Sequence, residues 1–375
     1  MTADPTIMAE REALRDTVRK FLRKEHSPAM LRRMIDDDAG FDPEIWQRAC
    51  SDLGLAAMTI PIAQNGLGLG LVELAIVMEE MGRSLVTLPY LSSAVLGATT
   101  LAATGDEAAI ARLLPGIAAG NRIALAAPLD GTALSLVAQP DGTAWQVHGS
   151  ADLVLDGATS QILLVAANTP AGPSLFEVDV EAASLIRTAL PTLDLTRRIA
   201  TIAFSGAPAR LIGTPGEASA ILDATLNRAL VALAAEQLGG ARACLEMSVD
   251  YARTRFQFGR QIGSFQAIKH KCADMLVSVE AAAAALAFAL EDAADPVSAR
   301  ASLAKVICSE TFDRCATDNI QIHGGIGFTW EHDAHLYFRR AKASQALFGD
   351  AAFHRERYVQ LEFMNISEQA LEMAQ

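Results

Sequence analysis

Two short segments hold residue types that meet phosphate groups. Arg255-Phe256-Gln257-Phe258-Gly259 sets a guanidinium beside phenyl rings and a glycine, and Gln321-Ile322-His323-Gly324-Gly325-Ile326-Gly327-Phe328 crowds glycines at 324, 325 and 327. A guanidinium donates planar, paired hydrogen bonds to phosphate oxygens, and a ring such as Phe258 packs on a flat heterocycle. Glycines leave backbone N–H groups open to a closely approaching anion. Plainer roles suit the same residues. An arginine beside a helix C-terminus is favoured by the macrodipole, and a glycine such as Gly259 ends a helix and permits a sharp reversal. The residues alone leave both readings open.

Other constellations carry less. His270, His323, His332, His335 and His354 suggest a metal, and His332 and His335 are spaced to share a helix face. No third ligand stands at a matching spacing, so no metal site is expected. Cys50, Cys244, Cys272, Cys308 and Cys315 are odd in number and contain no CxxC pair, which suits core residues in a reducing cytoplasm rather than a disulfide framework. The glycine-rich stretch Ile60 to Gly70 follows no strand, so it reads as a turn and not as a dinucleotide fingerprint.

The elements that position these segments follow from periodicity. Met8, Leu14, Val18, Phe21 and Leu22 recur at helical intervals, Asp42-Pro43 begins a helix that Gly54 ends, and Leu71 to Met81 continues the pattern, giving an N-terminal helical domain over 1–120. Over 121–212 the period shortens to two and turns crowd at Asp141-Gly142, Asp156-Gly157 and Ala171-Gly172-Pro173, as in a small β-barrel or sandwich. The remainder, 213–375, is helical. A long helix runs from Glu217 to Thr254, a second starts at Ser264 as N-cap, a third at Asp295-Pro296, and two more span His335 to Gln345 and Asp350 to Glu372. The fold class is mostly α with a small β-domain, ending in a four-helix bundle.

Charge and hydropathy exclude some partners. The 44 acidic and 31 basic side chains leave a net charge of −13, which repels nucleic acid. The charged N-terminus has no apolar h-region, and the alanine run 281–289 is short of a membrane span, so neither a signal peptide nor a spanning helix is expected.

In longer context the two segments resemble a known family. YARTRFQFGRQIGSFQAIKHKCADM and QIHGGIGFTWEHDAHLYFRRAKA look like the paired C-terminal signatures of acyl-CoA dehydrogenases. LLPGIAAGNRIALA and PTLDLTRRIATIAFSGAPARLIG resemble the entry to and exit from the family's β-domain. The resemblance implies FAD as cofactor, α,β-desaturation of an acyl-CoA thioester, and an electron-transfer flavoprotein as acceptor. It also implies that Arg255, Phe258, Gln321, Gly324 and Gly325 contact the ADP portion of FAD, with Phe265 and Gln266 close by. In the family much of this contact reaches the FAD of a neighbouring subunit, so an oligomer is expected.

Two departures stand out. The family's base is a glutamate directly before a glycine, and that position is Phe348, before Gly349. Relatives that keep the base on the first bundle helix align it with Leu226-Asn227-Arg228-Ala229-Leu230, where no carboxylate stands. Asp350 and Glu236 are the nearest acids; Asp350 equally suits an N-cap and Glu236 a paired helix residue. The polar residues that meet the isoalloxazine edge are replaced by Ala126-Ala127-Pro128-Leu129-Asp130 and Asp152-Leu153-Val154-Leu155. The reading that fits both is a base-lacking subunit of a heteromeric acyl-CoA dehydrogenase whose homologous partner completes the site, an arrangement the family uses for bulky substrates such as steroid side-chain thioesters. The alternatives are a self-sufficient homotetramer with a displaced base, a flavin monooxygenase of the same fold, and a flavin-free structural subunit.

Overall fold

The computed structural model describes residues 5–142, 144–291 and 298–373, with side chains as far as Phe363. Helices α1 (Pro5–Glu25), α2 (Pro28–Asp36), α3 (Pro43–Ser51), α4 (Leu71–Arg83), α5 (Ala98–Ala103) and α6 (Glu107–Ala118) come first. Strands β1 (Ile123–Ala126), β2 (Val137–Asp141), β3 (Ala144–Leu155), β4 (Ile162–Thr169), β5 (Gly172–Val178), β6 (Leu185–Ala189) and β7 (Ile199–Ile212) follow. The rest is α7 (Ala218–Thr254), the small hairpin β8 (Phe256–Gln257) and β9 (Arg260–Gln261), α8 (Gln266–Ala289), α9 (Ser298–His323), α10 (Ala334–Ala346) and α11 (Ala351–Met373). This is the expected order of helices, strands, helices.

Local chemistry explains several boundaries. Asp42 Oδ1 accepts from the N–H groups of Glu44 and Ile45 at 2.9 and 3.1 Å, and Pro43 fills the first turn of α3. Gly54, at φ +63°, stops the chain beyond that helix. Other boundaries differ from expectation. Phe265, not Ser264, precedes α8, because Ser264 lies in a 3₁₀ turn and its hydroxyl donates to the Gln261 carbonyl. Asp295 and Pro296 lie outside the described residues. Gly259 does not end α7, which stops at Thr254; it shares a hairpin turn with Phe258, both at positive φ. His332 and His335 do not share a helix face, since α10 begins between them and His332 Nδ1 accepts from Ala334 N–H. Among the described residues no group of three or more His, Cys, Asp or Glu side chains is placed to hold a metal.

The chain packs as two compact units, one of Ala29–Leu74 and Thr87–Ala229, the other of Met1–Pro28, Ala75–Val86 and Leu230–Gln375. In the first, β4, β2, β3, β7 and β5 pair in a closed cycle, with β1 beside β4 and β6 beside β7, so the strands form a barrel. Pairing is antiparallel except where β4 meets β1 and β2. Alternate residues face inward, Leu163, Val165 and Ala167 on β4 and Ile202 and Phe204 on β7, around Phe176. The glycine-rich stretch before α4 is a compact loop closed by its own backbone, including Gly66 N–H to Pro61 O and Gly68 N–H to Ile60 O.

The second unit is the helical bundle. α7 is unbroken over 37 residues, about 55 Å, although Gly239-Gly240 lies within it. Packing explains the pair. A Cβ on Gly239 would lie 1.9 Å from the Glu79 carbonyl oxygen, and one on Gly240 would lie 2.4 Å from the ring of Phe312. The glycines cost helix propensity, roughly 1 kcal/mol each, and permit α4 and α9 to approach closely. Beside this crossing Arg15 and Arg242 meet Glu79, and Arg19 grips both oxygens of Glu80 at 2.7 and 2.9 Å. Burial alone would raise the Glu80 carboxyl, but the arginines around it hold it below its ordinary value.

By length and composition alone α7 and α8 are apolar enough to cross a membrane, although no spanning helix is expected from the sequence; the apolar windows are 67% and 33% buried within the fold. Buried core helices meet the same criterion.

Candidate functional site

The two segments singled out by chemistry meet at one end of the bundle. Tyr251, in the last turn of α7, stacks on His323, at the end of α9, with ring centroids 4.3 Å apart. This contact brings the Arg255–Gln261 hairpin and the Gly324–Phe328 turn to the same end. His323 also packs against His332, the tilted rings 4.4 Å apart, and its Nδ1 donates to the Asn319 carbonyl at 2.8 Å. Burial lowers the His323 pKa, which keeps the ring neutral and suited to stacking.

The expected contact residues face outward. Arg255, Gln266, Gln321, Gly324 and Gly325 are exposed, and Phe258 is 89% exposed although its backbone is left-handed at φ +55°. A phenylalanine in that conformation is strained, and the two-residue turn it forms with Gly259 fixes where its ring is displayed. Phe265 is half-buried, with the Arg260 guanidinium over its ring 4.1 Å from the centre and Phe258 in an edge contact at 6.0 Å. No heavy atom comes within 4 Å of a Cβ built on Gly324 or Gly325. The backbone there is open to a ligand. Tyr251 and Arg260 were not singled out from sequence, and His323 and His332 were named there without this ring contact; only the adjacency of Arg260 to Gly259 hinted at Arg260.

The position before Gly349 lies elsewhere in the same unit. α10 ends at Ala346, and Phe348 and Gly349 follow at φ +62° and +99°, two left-handed residues in succession. Phe348 is 8% exposed. Its carbonyl accepts from His354 Nε2 at 2.8 Å. Gly349 is obligatory, since a Cβ there would lie 2.4 Å from the ring of Phe353. Asp350 is exposed and caps α11, its Oδ1 accepting from Phe353 N–H at 2.9 Å. Glu236 is buried and accepts from Arg340 Nη1 at 2.7 Å, while Arg340 Nη2 donates to the Val86 carbonyl. Asp350 and Glu236 thus occupy the structural roles that sequence offered as their alternatives.

In the barrel unit, Ala126 closes β1, and Asp130 accepts from Thr132 N–H and Oγ1. On β3 the register against β7 slips between Ala151 and Val154. The bulge exposes Leu153 at φ +58° and directs Asp152 to the Thr201 hydroxyl at 2.8 Å.

Comparison with known proteins defines the class. The acyl-CoA dehydrogenase N-terminal domain family matches residues 8–121, and the corresponding C-terminal domain family matches residues 219–360. The chain belongs to the acyl-CoA dehydrogenase family, oxidoreductases acting on CH–CH groups. Among its relatives, acyl-CoA dehydrogenase IpdE2 of Mycobacterium tuberculosis is 37% identical over 339 residues, 90% of this chain and 92% of that protein. Among solved structures, a variant of the Tcur3481-Tcur3483 steroid ACAD superposes with a TM-score of 0.86 at 30% identity, covering 96% of this chain and 99% of that one. The ChsE4-ChsE5 complex from Mycobacterium tuberculosis gives 0.85 at 28% identity, covering 93% and 96%.

Proposed function

We propose that this chain is the base-lacking subunit of a heteromeric acyl-CoA dehydrogenase, and that it contributes the Arg255 and Gln321 segments to an FAD whose flavin pocket and catalytic carboxylate a homologous subunit completes. The observation that supports this is Phe348: the residue directly before Gly349, where the family resemblance puts the glutamate base, is a buried phenylalanine, and a phenyl ring accepts no proton. The two nearest acids are committed elsewhere, Glu236 to Arg340 and Asp350 to the N-cap of α11. The heteromeric names of the Tcur3481-Tcur3483 and ChsE4-ChsE5 relatives agree with the reading.

The residues present fit one end of FAD and not the other. Exposed Arg255 meets pyrophosphate charge, the open Gly324-Gly325 backbone permits close approach of the ADP portion, and Phe258 offers a fixed ring face. The segments 126–130 and 152–155, where the family resemblance puts hydrogen bonds to an isoalloxazine edge, are largely alanine, proline, valine and leucine, and their two acids are engaged locally, Asp130 by Thr132 and Asp152 by Thr201. FAD, when bound, supplies the hydride-accepting chemistry. This chain's part is to hold and orient its ADP end from outside the reacting site. The substrate is an acyl-CoA thioester, a bulky steroid side-chain thioester by likeness to the steroid ACAD, and an electron-transfer flavoprotein is the acceptor.

The test is co-expression with homologous acyl-CoA dehydrogenase subunits, followed by flavin and turnover measurements on the complex and on the isolated chain. The reading predicts that the complex holds fewer flavins than chains and that the isolated chain desaturates nothing. Full flavin occupancy with acyl-CoA turnover by the chain alone overturns it.

A further inference from the structure

The corner that carries Phe348 is held by an extensive buried polar network. Lys305, on α9, is 1% exposed and its ammonium donates to Ser309 Oγ at 2.9 Å and to the carbonyls of Ser344 and Gln345 at 2.7 and 3.2 Å. These are last-turn carbonyls of α10, which lack partners within the helix and sit at the negative end of its dipole. Gln237, fully buried on α7, donates to the same Ser344 carbonyl at 3.2 Å and exchanges hydrogen bonds with Ser309. Beyond the helix end, His354 Nε2–H holds the Phe348 carbonyl. Every one of these contacts ends on a main-chain carbonyl or joins the donors to one another; none uses the side chain at 348.

We infer that Lys305, supported by Gln237 and His354, is the positioning residue for the side chain at 348, so that the chain retains the mount of the family's base while having lost the carboxylate. The Cα–Cβ direction at 348 is set by two left-handed residues in succession, and donors from α7, α9 and α11 fix that backbone whatever side chain it bears. A carboxylate introduced by Phe348→Glu leaves the corner at the same place. The inference rests on the reading of 348 as the base position, but its test reads the mount alone, whereas flavin content and turnover read that assignment.

Amide hydrogen exchange over 344–350 in the full-length chain decides it, together with the ¹⁹F resonance of 4-fluorophenylalanine incorporated at 348. Phe348→Ala and Phe348→Glu should leave corner exchange within about twofold of the native rate. Lys305→Met should accelerate it by about tenfold or more, and shift or broaden the ¹⁹F line, while protection in the middle of α7 persists. If Lys305→Met does not fold, Gln237→Leu, which removes the other donor to Ser344, should give the same local loosening to a smaller degree. Corner exchange that accelerates as much in Phe348→Ala as in Lys305→Met, or a ¹⁹F line unmoved by loss of Lys305 or Gln237, overturns the inference.

Discussion

His354 and Phe348 are joined through the backbone: the imidazole Nε2–H donates to the Phe348 carbonyl at 2.8 Å, inside a fully buried ring environment. Burial, with Lys305 and Arg357 nearby, lowers the His354 pKa to about 4; burial, with Arg340 nearby, does the same to His26. Both rings are neutral in the folded chain at pH 6 and protonated more readily in the unfolded chain. The unfolded state therefore binds more protons between about pH 6.5 and 4, and stability falls as pH falls through that window. Denaturant unfolding at pH 7 and pH 4.5 should show the loss, and His354→Phe should flatten part of the slope.

The Glu236–Arg340 pair predicts an asymmetric cost. Removing one partner leaves the other charged and buried without its ion-pair contact, so Arg340→Leu should destabilise by about 3–5 kcal/mol. The double variant Glu236→Leu with Arg340→Leu should cost less than either single change. Unfolding free energies of the three variants provide the check.

Two glycines should separate packing from ligand contact. Gly239→Ala forces a methyl against the Glu79 carbonyl and should destabilise by about 3 kcal/mol or more. Gly325→Ala meets open space and should change stability by under about 1 kcal/mol, yet weaken FAD retention by the assembled complex. Melting curves and flavin release measure the two effects separately.

Arg255 is exposed, so under the proposed function its replacement should affect binding rather than folding. Arg255→Ala should shift stability by no more than about 0.5 kcal/mol and increase flavin loss from the complex, whereas Arg255→Lys, a point charge without the planar fork, should restore only part of the affinity. Dialysis of the complex followed by flavin absorbance is sufficient.

The helices and the barrel were legible in the sequence because each rests on local signals, the Asp42-Pro43 cap and period-two strands such as β7. What was not legible depends on the partner an element meets. Nothing local shows why Gly239-Gly240 stands inside an unbroken α7, since the reason is the Glu79 carbonyl and the Phe312 ring pressed against it. Lys305 reads as an ordinary helical lysine until α10 ends beside it. Gly259 carries the signal of a helix end, but a glycine marks a reversal without saying whether a helix or a hairpin is reversing, and here it is the β8–β9 hairpin.

The most direct measurement of the central claim is flavin stoichiometry and single-turnover bleaching by an acyl-CoA, compared between the isolated chain and its co-purified complex. A base-lacking subunit should give substoichiometric flavin and bleaching in the complex, and no bleaching by the isolated chain even after incubation with excess FAD. An isolated chain that fills with FAD and is bleached by substrate would contradict it, because the proton would then have an acceptor that Phe348 cannot be.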